Sequence, residues 1–403
     1  MALMPVVDAL ARILQNATPL PSESAPLAEA AGRVLAEDVA ARNTQPPADV
    51  SAMDGYAVRA VDVATTPATL KLIGEVAAGH PFSGAVGTGE AARIFTGGVL
   101  PAGADTVVIQ ENTRREGDAV IIGKAAAKGR NVRVQGLDFV RGDVLLKKGH
   151  RLTGRDLMLA AAMNHPSVPV HRRPKVAVLG TGDELVPPGS ALQAGQIVHS
   201  NGFALMALAR REEGTVADLG IVPDRVDSTI AAVRRARELG ADILVTCGGV
   251  SVGDHDLVQK SLAVEGLALS FWKVALRPGR PVMHGRLGEM HVLGLPGNPV
   301  SAYVCALLFL VPLIRRLAGR GDLSPAAESA VLGNDLPAND ERMDFLRATL
   351  QPGPDGTPVA TPLPIQDSSM MAALAKADCL VIREPYAPAL KAGRRCAIVK
   401  LAF

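Results

Sequence analysis

From Lys175 onward the chain alternates apolar, β-branched runs with helical stretches, and this alternation limits the possible folds more than anything else in the sequence. The order is strand KVAVLG, a helix around Gly202 to Arg211, strand TVADLGIV, a helix from Asp227 to Leu239, strand ADILVT, a helix from Leu257 to Glu265, and strand LSFWKVAL. Repeated β-α units predict a central parallel α/β sheet with helices on both faces. Ser200 or Asn201 and Asp227 suit helix N-caps, while Gly214 and Gly240 suit C-terminal stops. A hairpin, RPVMHGRLGEMHVLGL, follows, and PGNP then opens a long apolar helix. Its run from Tyr303 to Ile314 is shorter than the ~18 residues a membrane span needs and contains Pro312, so a buried helix is expected and no membrane partner.

The flanking segments have a different texture. Val6 to Gln15 and Leu27 to Val39 carry apolar residues at helical spacing, with Pro26 placed to open the second helix. RNTQPPADV then leads into a stretch of short β-type runs and Gly turns, of which TVVIQ, AVIIG and DVLL are the clearest strands. Thr153 starts a helix through Met163, with Asp156 completing a short-armed capping box, and HRRP reads as a linker. Beyond Gly319 the strands are Ala330 to Leu332, Phe345 to Leu350, Cys379 to Arg383 and Cys396 to Leu401, with one short helix in SSMMAALAKA. The expected division is a helical layer at 1–45 and 143–173, an inserted mostly β domain at 46–142, the α/β domain at 174–322 and a small C-terminal β domain at 323–403.

Forty-two basic and forty acidic residues nearly cancel, and three Tyr and one Trp leave few stacking platforms, so no nucleic-acid partner is expected. Cys247, Cys305, Cys379 and Cys396 form no C-x-x-C pair, which argues against a zinc knuckle or disulfide framework and for the reducing cytoplasm. Pro5, Asp8 and Arg12 interrupt the N-terminal apolar residues, so no signal peptide is expected.

In open α/β sheets ligands sit beyond the carboxyl ends of the strands, here the loops GTGDE, VPD, CGGVSVGDHD and RPGR. Gly248, Gly249 and Gly253 allow main-chain N–H groups to approach an anion, with Ser251 between them and Asp254 and Asp256 at the rim. A phosphate about 5 Å from a carboxylate is repelled by roughly 3 kcal/mol at an effective dielectric near 20. Positive charge must therefore intervene, supplied by Lys273, Arg277 and Arg280 or by a Mg²⁺ shared between carboxylates and phosphate. GTGDE carries only two glycines and places Asp183 and Glu184 where a pyrophosphate would lie, so it is not a dinucleotide fingerprint. GVSVG matches a nucleophile elbow, but no acidic residue well separated from Ser251 precedes His255, and the C-terminal region carries no histidine to complete a triad. Asn298 and Pro299 suit a helix N-terminus at the same edge. Cys247 reads as a small buried strand residue, and His255 as a lone histidine.

Several motifs in one order then resemble the molybdopterin molybdenumtransferases of molybdenum-cofactor biosynthesis, also found as the C-terminal part of gephyrin-like proteins. They are SAMDGYA at Ser51, RIFTGGVLPAGADTVV at Arg93, TGDEL at Thr181, SN at Ser200, GGVSVGDHD at Gly248, FWKVALRPGRP at Phe271 and LPGNPVSA at Leu295. The resemblance implies a four-domain elongated homodimer. Its α/β domain would hold adenylylated molybdopterin, into which molybdate is inserted with loss of AMP, helped by Mg²⁺. The family's acidic positions fall on Asp54, Asp138, Glu184, Asp224 and Asp256, and its threonine on Thr96. Its basic positions fall on Lys273, Arg277 and Arg280, its loop prolines on Pro296 and Pro299, and C-terminal contacts on Arg347 and Ser368. Members often carry Lys at the positions of Arg277 and Arg280, and Ser or Thr at that of Cys247. The catalytic set implied is Asp54, Glu184, Asp256, Lys273 and Arg277, with Asp256 and Glu184 as the Mg²⁺ ligands. Asp54 and Thr96 would reach the cleft from the β domain of this or another subunit. The alternatives are a molybdopterin adenylyltransferase, which resembles the α/β domain alone, and a non-catalytic gephyrin-like scaffold.

Overall fold

The computed structural model describes residues 3–248 and 257–401. Its contacts group the chain into two compact units, one of Met1–Glu23, Gly32–Ala36 and Val170–Phe403, the other of Ser24–Ala31 and Glu37–Pro169.

In the first unit, helix α1 (Val6–Gln15) buries Val6, Ala9 and Ile13, one stripe of an amphipathic helix. The sheet comprises β1 (Lys175–Thr181), β2 (Thr215–Val222), β3 (Ile243–Cys247), β4 (Ala268–Trp272), β5 (Met283–Leu287) and β6 (Met290–Leu295) in the order β2-β1-β3-β6-β5-β4. β2, β1, β3 and β6 are parallel. β5 runs antiparallel to both β6 and β4, so β4 points the same way as β3 but lies at the far edge, with the hairpin between them. The alternating pattern predicted β4's direction; its neighbour could not be read, because the strand that completes the sheet comes later in the chain.

Side chains alternate across β1. Val176 and Val178 join one core with α1, α2 (Asn201–Arg211) and the apolar helix, while Ala177 and Leu179 join another with α3 (Val226–Glu238) and α4 (Leu257–Val264). The apolar helix, α5, runs from Pro299 to Leu317 and is 83% buried, a core helix despite its length and composition. A π-helical turn at Ala306–Leu310 precedes Pro312, whose ring cannot tolerate a regular carbonyl four residues earlier.

Leu276–Arg277 leaves this sheet and pairs in parallel with Met343–Asp344. Strands Met343–Pro352, Pro358–Pro362, Ala327–Leu332, Arg395–Lys400 and Cys379–Arg383 then close on themselves, because the first also pairs with the last. The Pro358–Pro362 strand is absent from the sequence reading, since proline at both ends disguised it. The predicted C-terminal helix shortens to Met371–Ala375.

The second unit carries a six-stranded sheet in the order Thr106–Ile109, Gly55–Val58, Glu90–Ile94, Ala68–Val76, Ala119–Ile122, Thr113–Glu116. Helix Gly154–Ala162 begins with the expected Thr153/Asp156 capping box. Two expectations fail. Leu27–Val39 is not a helix: only a 3-10 turn at Leu27–Glu29 forms, and Gly32, at φ 78°, breaks the helical path. And α1 does not share a unit with Gly154–Ala162; its apolar stripe packs in the core of the α/β unit.

Candidate active site

The loops at the carboxyl edge of the sheet surround a cleft of about 850 Å³. Glu184 follows β1, Asp224 follows β2, Gly248 follows β3, and Pro296 follows β6, as the topology of an α/β sheet requires. Lys273 follows β4, and Arg277 and Arg280 come from the connection between β4 and β5, which pairs with a C-terminal strand; all three line the same cleft, as does Ser368. Eight residues singled out in the sequence therefore meet in one place.

The acidic wall holds Glu184 and Asp224, with Asp183 beside them: the backbone N–H of Asp224 donates to Asp183 Oδ1 at 3.0 Å. Burial and the negative charges of Asp183 and Glu184 push the Asp224 carboxyl above its ordinary range. Gly248 sits at φ 98°, and a Cβ there would lie 2.4 Å from the Thr181 carbonyl oxygen, so only glycine lets the loop after β3 turn beside β1. Gly249, Ser251, Gly253, Asp254, His255 and Asp256 lie outside the described residues.

On the basic wall the three cations are not equivalent. Arg277 donates from Nε to Asp344 Oδ1 at 2.8 Å, from a terminal nitrogen to Asp340 at 3.2 Å, and from another to Asn339 at 3.1 Å and to Asp344. Asp344 is buried, and Arg342 together with its own backbone N–H holds the Asp340 carboxyl down at about 2. Much of Arg277's charge is thus offset before any ligand arrives. Arg280 is exposed and has no side-chain partner among the described residues, and Lys273 lies over the Trp272 ring at 5.2 Å. Burying Asp344 fixes Arg277; nothing comparable fixes Arg280.

Two amides clasp the PGNP loop. Asn201 Nδ2 donates to the Gly297 carbonyl at 2.7 Å and to Cys247 Sγ at 3.0 Å, tying α2 to the ends of β3 and β6. Asn298 occupies the N-cap position with Pro299 after it, but its side chain donates to Ser368 Oγ at 2.8 Å rather than to the helix. The Val300 N–H instead donates to the Ser368 carbonyl at 3.0 Å. Pro299 therefore starts the helix that carries the loop and is not itself part of the cleft wall. Cys247 is buried, and burial pushes its thiol up to about 11, which suits a packing residue and not a nucleophile.

Arg347 needs correction as a contact residue. It is 1% exposed, and its guanidinium donates to Gln366 Oε1, the Met370 carbonyl and the Ile365 carbonyl at 3.4, 3.2 and 3.4 Å. It holds in place the loop from which Gln366, Asp367 and Ser368 line the cleft. Sequence reasoning missed Asn201's clasp, although SN marked the place, and it missed Asp340 and Asp344, which follow Arg277 by more than sixty residues and show no local pattern.

In the second unit, Asp54 and Thr96 meet: the Thr96 N–H and hydroxyl both donate to Asp54 Oδ1 at 2.8 Å, which lowers the Asp54 carboxyl below its usual range. Asp138 is exposed, and its backbone N–H donates to the Gln45 carbonyl.

Comparison with known proteins gives these sites a context. Residues 4–164 match the MoeA N-terminal region (domain I and II), 177–316 a probable molybdopterin binding domain, and 329–401 the MoeA C-terminal region (domain IV). The chain is 36% identical over 382 residues to a molybdopterin molybdenumtransferase of Haemophilus influenzae, covering 94% of both chains. It is 40% identical to one from Nostoc sp. over 78% of this chain and 75% of that one. A crystal structure of a molybdopterin biosynthesis MoeA protein from Pyrococcus horikosii superposes with a TM-score of 0.86 at 32% identity, covering all of both chains. With sequence likeness spanning nearly the whole length and the fold shared throughout, the chain belongs to the molybdopterin molybdenumtransferase family.

Proposed function

We propose that this chain inserts molybdenum from molybdate into adenylylated molybdopterin with release of AMP, forming molybdenum cofactor. The observation that carries the reading is the division of one cleft into an acidic wall, Glu184 and Asp224, and a basic wall, Lys273 and Arg280. The substrates ask for that division. Molybdate and a phosphoanhydride are both anions and need fixed cations and N–H donors, whereas carboxylates would repel either one unless a cation lay between.

Mg²⁺ fits the acidic wall. Its carboxylates are hard oxygen donors, and burial together with the neighbouring Asp183 and Glu184 charges raises the Asp224 carboxyl, a strain that a cation would relieve. Glu184, with Asp256 from the loop after β3, would hold Mg²⁺, whose chemistry there is to polarise the phosphoanhydride. Lys273 and Arg280 receive the molybdate or phosphate oxygens, with Arg277 contributing what charge Asp344 and Asp340 leave it. The PGNP loop, held by Asn201 and Ser368, keeps the α5 N-terminus at the same edge. Asp54, Thr96 and Asp138 are assigned through the family resemblance, as are the homodimer and the cytoplasmic location.

Incubating the purified chain with adenylylated molybdopterin, molybdate and Mg²⁺ should release AMP only when molybdate is present. No molybdate-dependent AMP would discard the reading, and consumption of ATP with free molybdopterin would favour an adenylyltransferase. Asp256→Asn should abolish AMP release without altering thermal melting; full activity would remove that residue from the site.

A further inference from the structure

Lys273 differs from the other cleft cations in how it is held. Side chains alternate along β4, so Phe271 enters one core with Val176 and Val178, while Trp272 packs against the other beside Met283 and Leu287. Extended backbone would return the next side chain to the Phe271 face. Lys273 instead sits at φ 89°, a conformation that side chains of its size rarely adopt, and its ammonium lies over the Trp272 ring, 5.2 Å from the centroid. Two main-chain bonds to different segments impose that turn. The Lys273 N–H donates to the Val282 carbonyl at 3.2 Å, and the Lys273 carbonyl accepts from the Met4 N–H at 3.3 Å. Such strain persists only where the surroundings over-determine it, and here it borders a cleft.

The ring is fixed by packing. Its Nε1 is buried and has no hydrogen-bond partner among the described residues, so apolar contact holds the indole in place. Trp272, the single tryptophan of the chain, is not among the residues that line the cleft.

What the ring spares Lys273 is neutralisation. Arg277 is held by carboxylates that offset its charge, whereas Lys273 makes no ion pair among the described residues, although Glu184 and Asp224 line the same cleft. A lysine with nothing to hold its flexible stem would be drawn toward that acidic wall. An aromatic face attracts the ammonium through its quadrupole and carries no charge of its own, so an incoming oxyanion still meets a full positive charge.

We propose that Trp272 is a positioning residue: its indole face holds the Lys273 ammonium off the acidic wall and available to an oxyanion, without itself touching the ligand. That the oxyanion is molybdate or a substrate phosphate rests on the function proposed above; the placement of Lys273 rests on the ring and the strained turn.

The test uses the full chain as wild type, Trp272→Phe, Trp272→Leu and Lys273→Met, each first checked for unchanged thermal melting. Tryptophan emission without ligand reads the placement. Lys273→Met should alter it, because a cation leaves the indole face, and molybdate should alter the wild-type emission but not that of Lys273→Met. Calorimetric titration with molybdate reads the consequence: Trp272→Leu should weaken binding about tenfold, and Trp272→Phe, which keeps a ring, by no more than about threefold. Should Trp272→Leu melt lower, the emission comparison, which leaves Trp272 in place, decides alone. Identical emission from wild type and Lys273→Met, equal losses in the Phe and Leu variants, or a wild type that binds molybdate no more tightly than Trp272→Leu would overturn the proposal. The expected emission and affinity changes without molybdate-dependent AMP release would remove the proposed function and keep the positioning role.

Discussion

Arg277 and Arg280 sit three residues apart on one cleft wall, yet truncating each should do opposite things. Arg277 is bound to a carboxylate whose side chain is only 6% exposed, and Arg277→Ala would leave Asp344 buried without its partner. Breaking a buried pair costs roughly 3–5 kcal/mol; because Arg277 itself is 44% exposed, the low end, about 3 kcal/mol, is appropriate. For units of this size that corresponds to a fall in Tm of roughly 6–12 °C. Arg280→Ala removes an exposed side chain without a partner among the described residues, so its effect on stability should stay within about 0.5 kcal/mol. Its effect on anions should be larger: one charge-assisted contact is worth roughly 1.5–3 kcal/mol, or about ten- to hundredfold in molybdate affinity. Calorimetry supplies both readouts, scanning for Tm and titration for molybdate. If Arg277→Ala melts like the wild type while losing affinity, or Arg280→Ala keeps full affinity, the division of roles drawn from Asp344 is wrong.

Two further outcomes concern stability. Glu212, 4% exposed at its side chain, accepts from Arg315 Nε at 2.7 Å and from Arg320 at 2.8 Å, joining the end of α2 to the end of α5. Glu212→Gln should cost about 3 kcal/mol in urea unfolding, because the buried Arg315 guanidinium loses its carboxylate while Arg320 keeps Asp322; a loss below about 1 kcal/mol would show the network to be dispensable. His284 and His291 are both held neutral, their pKa values depressed first by burial and then by Arg286. Arg286 can only donate, so His291 Nε2 must accept at 2.8 Å and its Nδ1–H then donates to His284 Nε2 at 3.2 Å. A base with a depressed folded pKa stabilises above its unfolded value and loses that contribution on acidification. Stability should therefore fall from about pH 6.5 downward, by about 1.4 kcal/mol per pH unit for each ring. Urea midpoints at pH 7.5, 6.5 and 5.5 should show the slope, and His291→Gln should flatten it; a wild type with equal midpoints across that range refutes the tautomer chain.

The parts of the fold visible in the sequence were those set by local pattern. The continuous apolar, β-branched runs of Lys175–Thr181 and Ile243–Cys247 and the 3.6-residue stripe of Val6–Gln15 lie within single elements, and each formed as read. Leu27–Val39 has helical spacing as well, but spacing does not register a left-handed glycine at Gly32, and the chain follows the glycine. The same limit governs the site. Glu184, Lys273 and Arg280 could be found because strand ends locate them, whereas Asp344 matters only because Leu276–Arg277 pairs with Met343–Asp344, a contact with no trace in either segment alone. Arg347 shows the converse error: its residue type suggested a ligand contact, and only its burial reveals a support for the loop that does line the cleft.

The loop carrying Arg277 and Arg280 joins β4 to β5 and pairs with a C-terminal strand, and this explains why the C-terminal strands belong to the site at all. Val274 N–H donates to the Arg280 carbonyl within the loop, Ala275 N–H to the Met4 carbonyl of the N-terminal segment, and Met343 N–H of the C-terminal strand to the Ala275 carbonyl at 3.0 Å. Phe345, Leu380 and Val399 from the C-terminal strands lie in the same apolar core as Val176, Leu293 and Phe309 of the α/β part. The basic wall and the acidic wall thus share one core, and swinging one away from the other would expose it to water, at roughly 25 cal/mol for each Å² of apolar surface uncovered. Charges of opposite sign can then be kept apart across the cleft, where in a hinged protein they would be drawn together, and a divalent cation or an oxyanion entering it finds both walls already in position.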